Sequence, residues 1–358
     1  MNPLLQVRAQ GQQIWLDNLS RTLLNDGHLA RLIAEDRIAG VTTNPSIFHK
    51  AIADGRYYEA DLAALKARPA DAEARYEALV IPDVQRACDL LLATFEQSNG
   101  DAGYVSLEVS PALAHDADAT VAAGRRLAAA VARPNLLVKV PATPAGLEAI
   151  EQLIGLGINV NVTLMFSLAH ADAVSEAYVR GLERLRDAGG ELARAMSVAS
   201  LFLSRVDSLV DPLLAKQGSQ VQSLQGNTAV ALARLAYERN RGVFSGARFE
   251  SLRALGARPQ YMLWASTGTK NPAYSDLLYV ESLIGPETVN TLPDATLAAL
   301  RDHGRVAATL NTGLEAAHHQ FAALDALGID LDEAGEALQR DGLQQFSTAF
   351  AALLALTS

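Results

Sequence analysis

The side chains best equipped for chemistry in this 358-residue chain are one lysine and two carboxylates. The chain has 30 basic residues, 25 of them arginine and only five lysine: Lys50, Lys66, Lys139, Lys216 and Lys270. Arginine cannot act where a neutral, nucleophilic amine is needed. Lys139 sits in Asn135-Leu136-Leu137-Val138-Lys139-Val140-Pro141, a run apolar on both sides. Burial disfavours the ammonium form of a lysine and frees the amine to attack a carbonyl. A buried ion pair with Glu108 or Asp17 is the other use for a lysine in such a run. Those two carboxylates are also the acid–base candidates. Imine chemistry on a ketose needs one group to protonate a departing hydroxyl and another to take a hydroxyl proton as a carbon–carbon bond breaks. Asp17 precedes Asn18-Leu19-Ser20 and could equally cap a helix.

The elements that must position these groups alternate along the chain. Short β-rich runs occur at 14–17, 39–43, 104–108, 136–140, 158–163, 196–200, 261–266 and 288–292, separated by longer Ala- and Leu-rich stretches of helical periodicity. Ser167 reads as an N-cap ahead of an apolar face at Leu168, Ala171, Val174, Ala177, Tyr178 and Leu182. Thr143-Pro144 pairs a cap residue with proline at the first helical position. Eight strand–helix units predict parallel pairing through right-handed crossovers and a (β/α)8 barrel over residues 1–358. Helical insertions are expected near 46–99 and 206–258, with a helical C-terminal segment over 294–358. There Leu343, Phe346, Phe350, Leu353 and Leu354 form a stripe that reads as a terminal helix packed on the barrel.

Catalytic groups of such barrels lie at the C-terminal strand ends. In order those ends offer Asp17, Asn44, Glu108, Lys139, Asn161 with Thr163, Ser200 and Ser266. Asn44 and Asn161 suit a polyhydroxylated substrate, although Asn44-Pro45 is also a turn signal. Arg205 falls where the next helix should begin, a good place for a phosphate; with 25 arginines, a plain surface role competes. The run Ala265-Ser266-Thr267-Gly268-Thr269-Lys270 lacks P-loop spacing but could form a small anion-binding turn with Lys270.

Composition excludes several classes. A net charge of −10 argues against binding to nucleic acid or a membrane surface. The start lacks a signal peptide, no long apolar span appears, and Cys88 is the one cysteine, so a reduced cytoplasmic setting is expected. The scattered histidines suggest no metal site, and no Gly-rich dinucleotide fingerprint follows a strand. No cofactor is expected.

Three stretches resemble those of the transaldolase family. They are Gly40-Val41-Thr42-Thr43-Asn44-Pro45-Ser46; the Lys139 run continued by Ala142-Thr143-Pro144-Ala145-Gly146; and Gly157-Ile158-Asn159-Val160-Asn161-Val162-Thr163-Leu164-Met165-Phe166-Ser167. The resemblance runs from about residue 12 to 292. It implies a class I aldolase-type TIM barrel of the pentose phosphate pathway that moves a dihydroxyacetone unit between sugar phosphates. It further implies an imine on Lys139, with Asp17 taking the C4 hydroxyl proton. Glu108 would manage dehydration through a water held by Thr163. Asn44, Asn161 and Ser200 would hold substrate hydroxyls, and Arg205 and Ser266 the phosphate. A second phosphate-binding arginine, common in the family just after the serine matching Ser266, is absent here; only Lys270, at a different spacing, could stand in. The rival readings are a fructose-6-phosphate aldolase that releases dihydroxyacetone and a non-catalytic sugar-phosphate-binding barrel. Both a monomer and a homodimer remain open.

Overall fold

The computed structural model describes residues 2–358. Eight strands close in sequence order: β1 Gln12–Leu16, β2 Gly40–Val41, β3 Tyr104–Glu108, β4 Leu136–Pro141, β5 Val160–Met165, β6 Ser197–Phe202, β7 Tyr261–Ala265 and β8 Thr288–Leu292. Every neighbouring pair is parallel, and β8 returns to β1. The predicted (β/α)8 barrel is the observed fold. Strand ends differ from the expected ones. β2 has only two residues; just after it, Thr42 and Thr43 turn their hydroxyls to Asp17 and to the Ser106 carbonyl. β5 runs past Thr163 to Met165 through an irregularity in its pairing with β6.

Local physics explains the three motif stretches. Gly40 admits the Trp15 indole: a Cβ there would lie 2.5 Å from the ring. Asn44 caps the helix Pro45–Ala53 by accepting from Ile47 N at 3.0 Å, with Pro45 at the first position. Thr143 caps Pro144–Gly155, accepting from Gly146 N at 2.9 Å. Gly146 is required by close approach, since a Cβ would sit 1.9 Å from the Pro141 oxygen. Asn159 accepts from Met196 N at 2.8 Å and ties the entry of β5 to that of β6. Ser167 caps Leu168–Asp187 as expected.

The segment between β2 and β3 holds helices Pro45–Ala53, Glu59–Lys66 and Ala72–Gln97. The segment between β6 and β7 holds Ser204–Ala215, Thr228–Phe244 and Ala247–Arg253. After β8 the chain ends in the 27-residue helix Leu331–Thr357. Its apolar stripe packs on the helices Pro45–Ala53 and Ala72–Gln97, and Phe350 meets Tyr76 edge-on at 5.6 Å between ring centroids. Among the described residues, no helix is long and apolar enough to cross a membrane.

Candidate active site

Strand register builds the centre of the site. Glu108 of β3 lies opposite Lys139 of β4, which lies opposite Asn161 of β5, so three adjacent strands place their functional groups at one level. Lys139 is only 4% exposed. Its Nζ donates to the Thr43 carbonyl at 3.0 Å and stands 3.8 Å from Glu108 Oε2. The ion pair foreseen as an alternative use of the lysine is therefore present, and it leaves the amine with few partners. Phe346 from the terminal helix roofs the amine, with the ring centroid 5.8 Å from Nζ. The stripe is core packing over most of its length; at Phe346 it becomes a wall of the site.

Asp17 follows β1 and is not a helix cap; Ser20 caps the helix Arg21–Asn25 instead. The Thr42 hydroxyl donates to Asp17 Oδ1 at 2.7 Å and also lies 2.6 Å from the Thr291 hydroxyl. Thr42 has one proton, so Thr291 must be the donor in the second bond. Burial pushes the Asp17 carboxyl above its ordinary pKa, opposed by Lys139 and by the Thr42 hydrogen bond. Burial likewise raises the Glu108 carboxyl, to about 7, against the pull of Lys139 and with a smaller push from Asp17. Near neutrality Glu108 can therefore hold a proton ready to give, while Asp17 accepts a hydrogen bond from Thr42. Glu108 Oε2 and Thr163 Oγ1 are both buried without a hydrogen-bond partner. Such atoms call for a water or a substrate oxygen.

Asn161 is locked in one orientation. Ser200 donates to its Oδ1 at 2.7 Å, and its Nδ2 donates to Ser106 Oγ at 2.9 Å. The far end of the site is built differently. Arg205 stands in the first turn of Ser204–Ala215, its guanidinium carbon 5.6 Å from the centroid of the Phe202 ring. Burial lowers its pKa, with Asp341 a weaker opposing charge, and its Nη1 is buried without a partner. Ser266 holds a left-handed backbone at φ 54° and its hydroxyl lies 2.8 Å from that of Ser204.

A cavity of about 200 Å³ joins the two ends, lined by Asp17, Asn44, Lys139, Ser200, Arg205 and Ser266 among others. Glu108 and Asn161 flank Lys139 on the adjacent strands, and Thr163 follows two residues after Asn161 on β5. Lys270 is not brought to it. It is exposed on the loop after β7 and lines a neighbouring cavity with Asp207, Asp211 and Tyr274. The sequence reading overlooked Thr42, Phe202, Thr291 and Phe346, which line the same cavity. Thr42 and Thr291 could have been found as hydroxyls at strand ends. Phe346 carried no local signal, because its apolar spacing is that of any packed helix.

A family model described as Transaldolase/Fructose-6-phosphate aldolase matches residues 14–357. A transaldolase of Thiobacillus denitrificans is 58% identical over 356 residues, 99% of each chain. One of Neisseria gonorrhoeae is 49% identical over 355 residues, again 99% of each. One of Frankia alni is 47% identical over 355 residues, covering 99% of this chain and 96% of its own. With a family model and relatives that span it nearly end to end, this chain belongs to the transaldolase/fructose-6-phosphate aldolase family.

Proposed function

We propose that this enzyme of the transaldolase type moves a dihydroxyacetone unit from a ketose phosphate to an aldose phosphate through an imine on Lys139, in the pentose phosphate pathway. The observation that carries the reading is the buried Lys139 amine, 3.8 Å from a carboxyl whose pKa is raised to about 7.

Lys139 Nζ adds to the C2 carbonyl of fructose 6-phosphate or sedoheptulose 7-phosphate, giving a carbinolamine. Glu108 supplies the proton on which the C2 hydroxyl leaves as water, and a water on the Thr163 hydroxyl relays it. The imine then accepts the C3–C4 bonding electrons while Asp17 takes the C4 hydroxyl proton. An aldose phosphate departs and an enamine stays on Lys139. Addition of glyceraldehyde 3-phosphate or erythrose 4-phosphate runs the steps in reverse. The Phe346 roof keeps bulk water from the enamine between the two halves.

Asn44 spends its side-chain oxygen on its cap and keeps its NH2 for a substrate hydroxyl. Asn161 and Ser200 hold the hydroxyls of the three-carbon unit. Arg205 and Ser266 take the phosphate, supported by the unpartnered Arg205 Nη1 and the helix start beneath it. Lys270 adds a point charge at the rim, from the neighbouring cavity, and not a second bidentate grip.

The test is chemical trapping. Fructose 6-phosphate followed by borohydride should leave a dihydroxyacetone-derived adduct on the peptide bearing Lys139. An adduct elsewhere, or none, overturns the imine reading. Addition of erythrose 4-phosphate before reduction should yield sedoheptulose 7-phosphate; release of free dihydroxyacetone alone would make the enzyme a lyase.

A further inference from the structure

We propose that Gln339, on the C-terminal helix, is a positioning residue for the Thr163 hydroxyl, acting by holding a β-bulge in β5. The proposal rests on the imine reading above and extends it.

The bulge is seen in the register. Val162 pairs with Ala199 and Met165 with Leu201, so Thr163 and Leu164 together face the single residue Ser200. Leu164 carries the strain, with a left-handed φ of 61° that a leucine rarely adopts. Thr163 sits at the last paired position of β4 with β5, opposite Pro141, and its carbonyl accepts from Ala142 N at 2.8 Å. Beyond that point the two strands have no further ladder. Gln339 replaces it. Its Nε2 donates to the Ala142 carbonyl at 3.0 Å and to the Leu164 carbonyl at 3.1 Å. Both protons of one buried amide therefore clamp β4 to the strained residue next to Thr163.

The helix is shaped for this reach. Gly335 and Gly342 flank Gln339 on the same face, four residues before and three after. A Cβ at Gly335 would lie 2.6 Å from the Ser167 Cβ, and one at Gly342 would lie 2.9 Å from Leu164 Cδ2. Side chains at either position would lift the helix off the strand ends and draw the amide away. Without the clamp, Leu164 can relax toward ordinary extended backbone, and a one-residue change in a strand turns the neighbouring side chain to the other face. Thr163 Oγ1 would leave the place where, unpartnered, it can hold the dehydration water.

The experiment measures the rate at which borohydride-trappable imine forms on Lys139 with fructose 6-phosphate and no acceptor. Gln339→Met keeps the volume and removes both donors. It should slow imine formation about 10–100-fold, as a misplaced catalytic group does, with KM little changed. The decisive comparison is with Thr163→Ala: the double variant should form imine no more slowly than Thr163→Ala alone, because both changes remove one function. Should Gln339→Met fail to fold, Gln339→Asn retains the amide one methylene short of spanning both carbonyls and is read in the same cycle. Wild-type imine rates, a change confined to KM, or multiplying losses in the double variant would overturn the proposal. Those results are distinct from absence of any wild-type adduct at Lys139, which would overturn the imine reading itself.

Discussion

The two ends of the cavity are built on opposite plans. At the lysine end, Glu108, Lys139 and Asn161 stand on adjacent strands in one register level, and the carboxyls, hydroxyls and amides around them are mostly paired. At the arginine end, Arg205 and Ser266 stand on a helix start and a strained turn, and the guanidinium keeps an unpartnered nitrogen. The first end is set by strand register before substrate arrives, with Glu108 Oε2 and Thr163 Oγ1 left open for a water or a substrate oxygen, so its geometry can serve a proton transfer. The second is electrostatically unfinished and gains most from an incoming anion. The contrast separates where bonds change from where substrate is held.

That separation can be broken by substitution. Lys139→Arg should keep the fold and abolish turnover, a loss of at least about 10³-fold, because guanidinium cannot supply a neutral amine. Residual turnover near the wild-type level would remove chemistry from the lysine end. Glu108→Gln should lower kcat about 10²–10⁴-fold with modest change in KM. Its pH behaviour sharpens the point. In the wild type, kcat/KM should fall as pH rises through about 7, where the Glu108 proton is lost in the free enzyme. Stability has the same sign. Because the native carboxyl binds its proton more tightly than the unfolded one, wild type loses stability between about pH 4.5 and 7. Glu108→Gln should escape that loss, gaining on wild type by roughly 3 kcal/mol across the interval in denaturation experiments.

Arg205→Ala tests the other end. It should raise KM for sugar phosphates about 10–100-fold, the worth of a charged hydrogen bond, and leave reaction with unphosphorylated dihydroxyacetone nearly unchanged. A large loss with the unphosphorylated compound would show that the two ends are not separable. Lys270→Ala should have the smallest effect, a change in KM of less than about threefold that shrinks further with salt, as befits an exposed charge.

The lysine end was more legible in the sequence than the arginine end, and the reason is locality. Asn44, Thr143 and Gly146 are required by caps and close approaches within a few residues, so their types report local backbone. Lys139 was conspicuous because its strand neighbours are apolar. Asp17 was ambiguous, and only its contact with Thr42, 25 residues away, separates an acid in the site from a helix cap. The extent of β5 was misjudged at Thr163, since the bulge is held from 175 residues further along the chain. Lys270 looked close to Ser266 in number, yet the intervening Thr267-Gly268-Thr269 turn leads it into another cavity. Phe346 lay hidden in a stripe that packing alone explains.

The roof over the lysine comes from the last helix of the chain, which ends with Thr357 bonded to the Ala72 carbonyl at 2.9 Å. During synthesis that helix leaves the ribosome after all eight strands, so the barrel has its full set of staves before the site has its cover. A nascent chain can therefore carry the lysine and both carboxyls and still lack a shielded amine. The catalyst is finished only when that helix has docked and brought Phe346 over the amine.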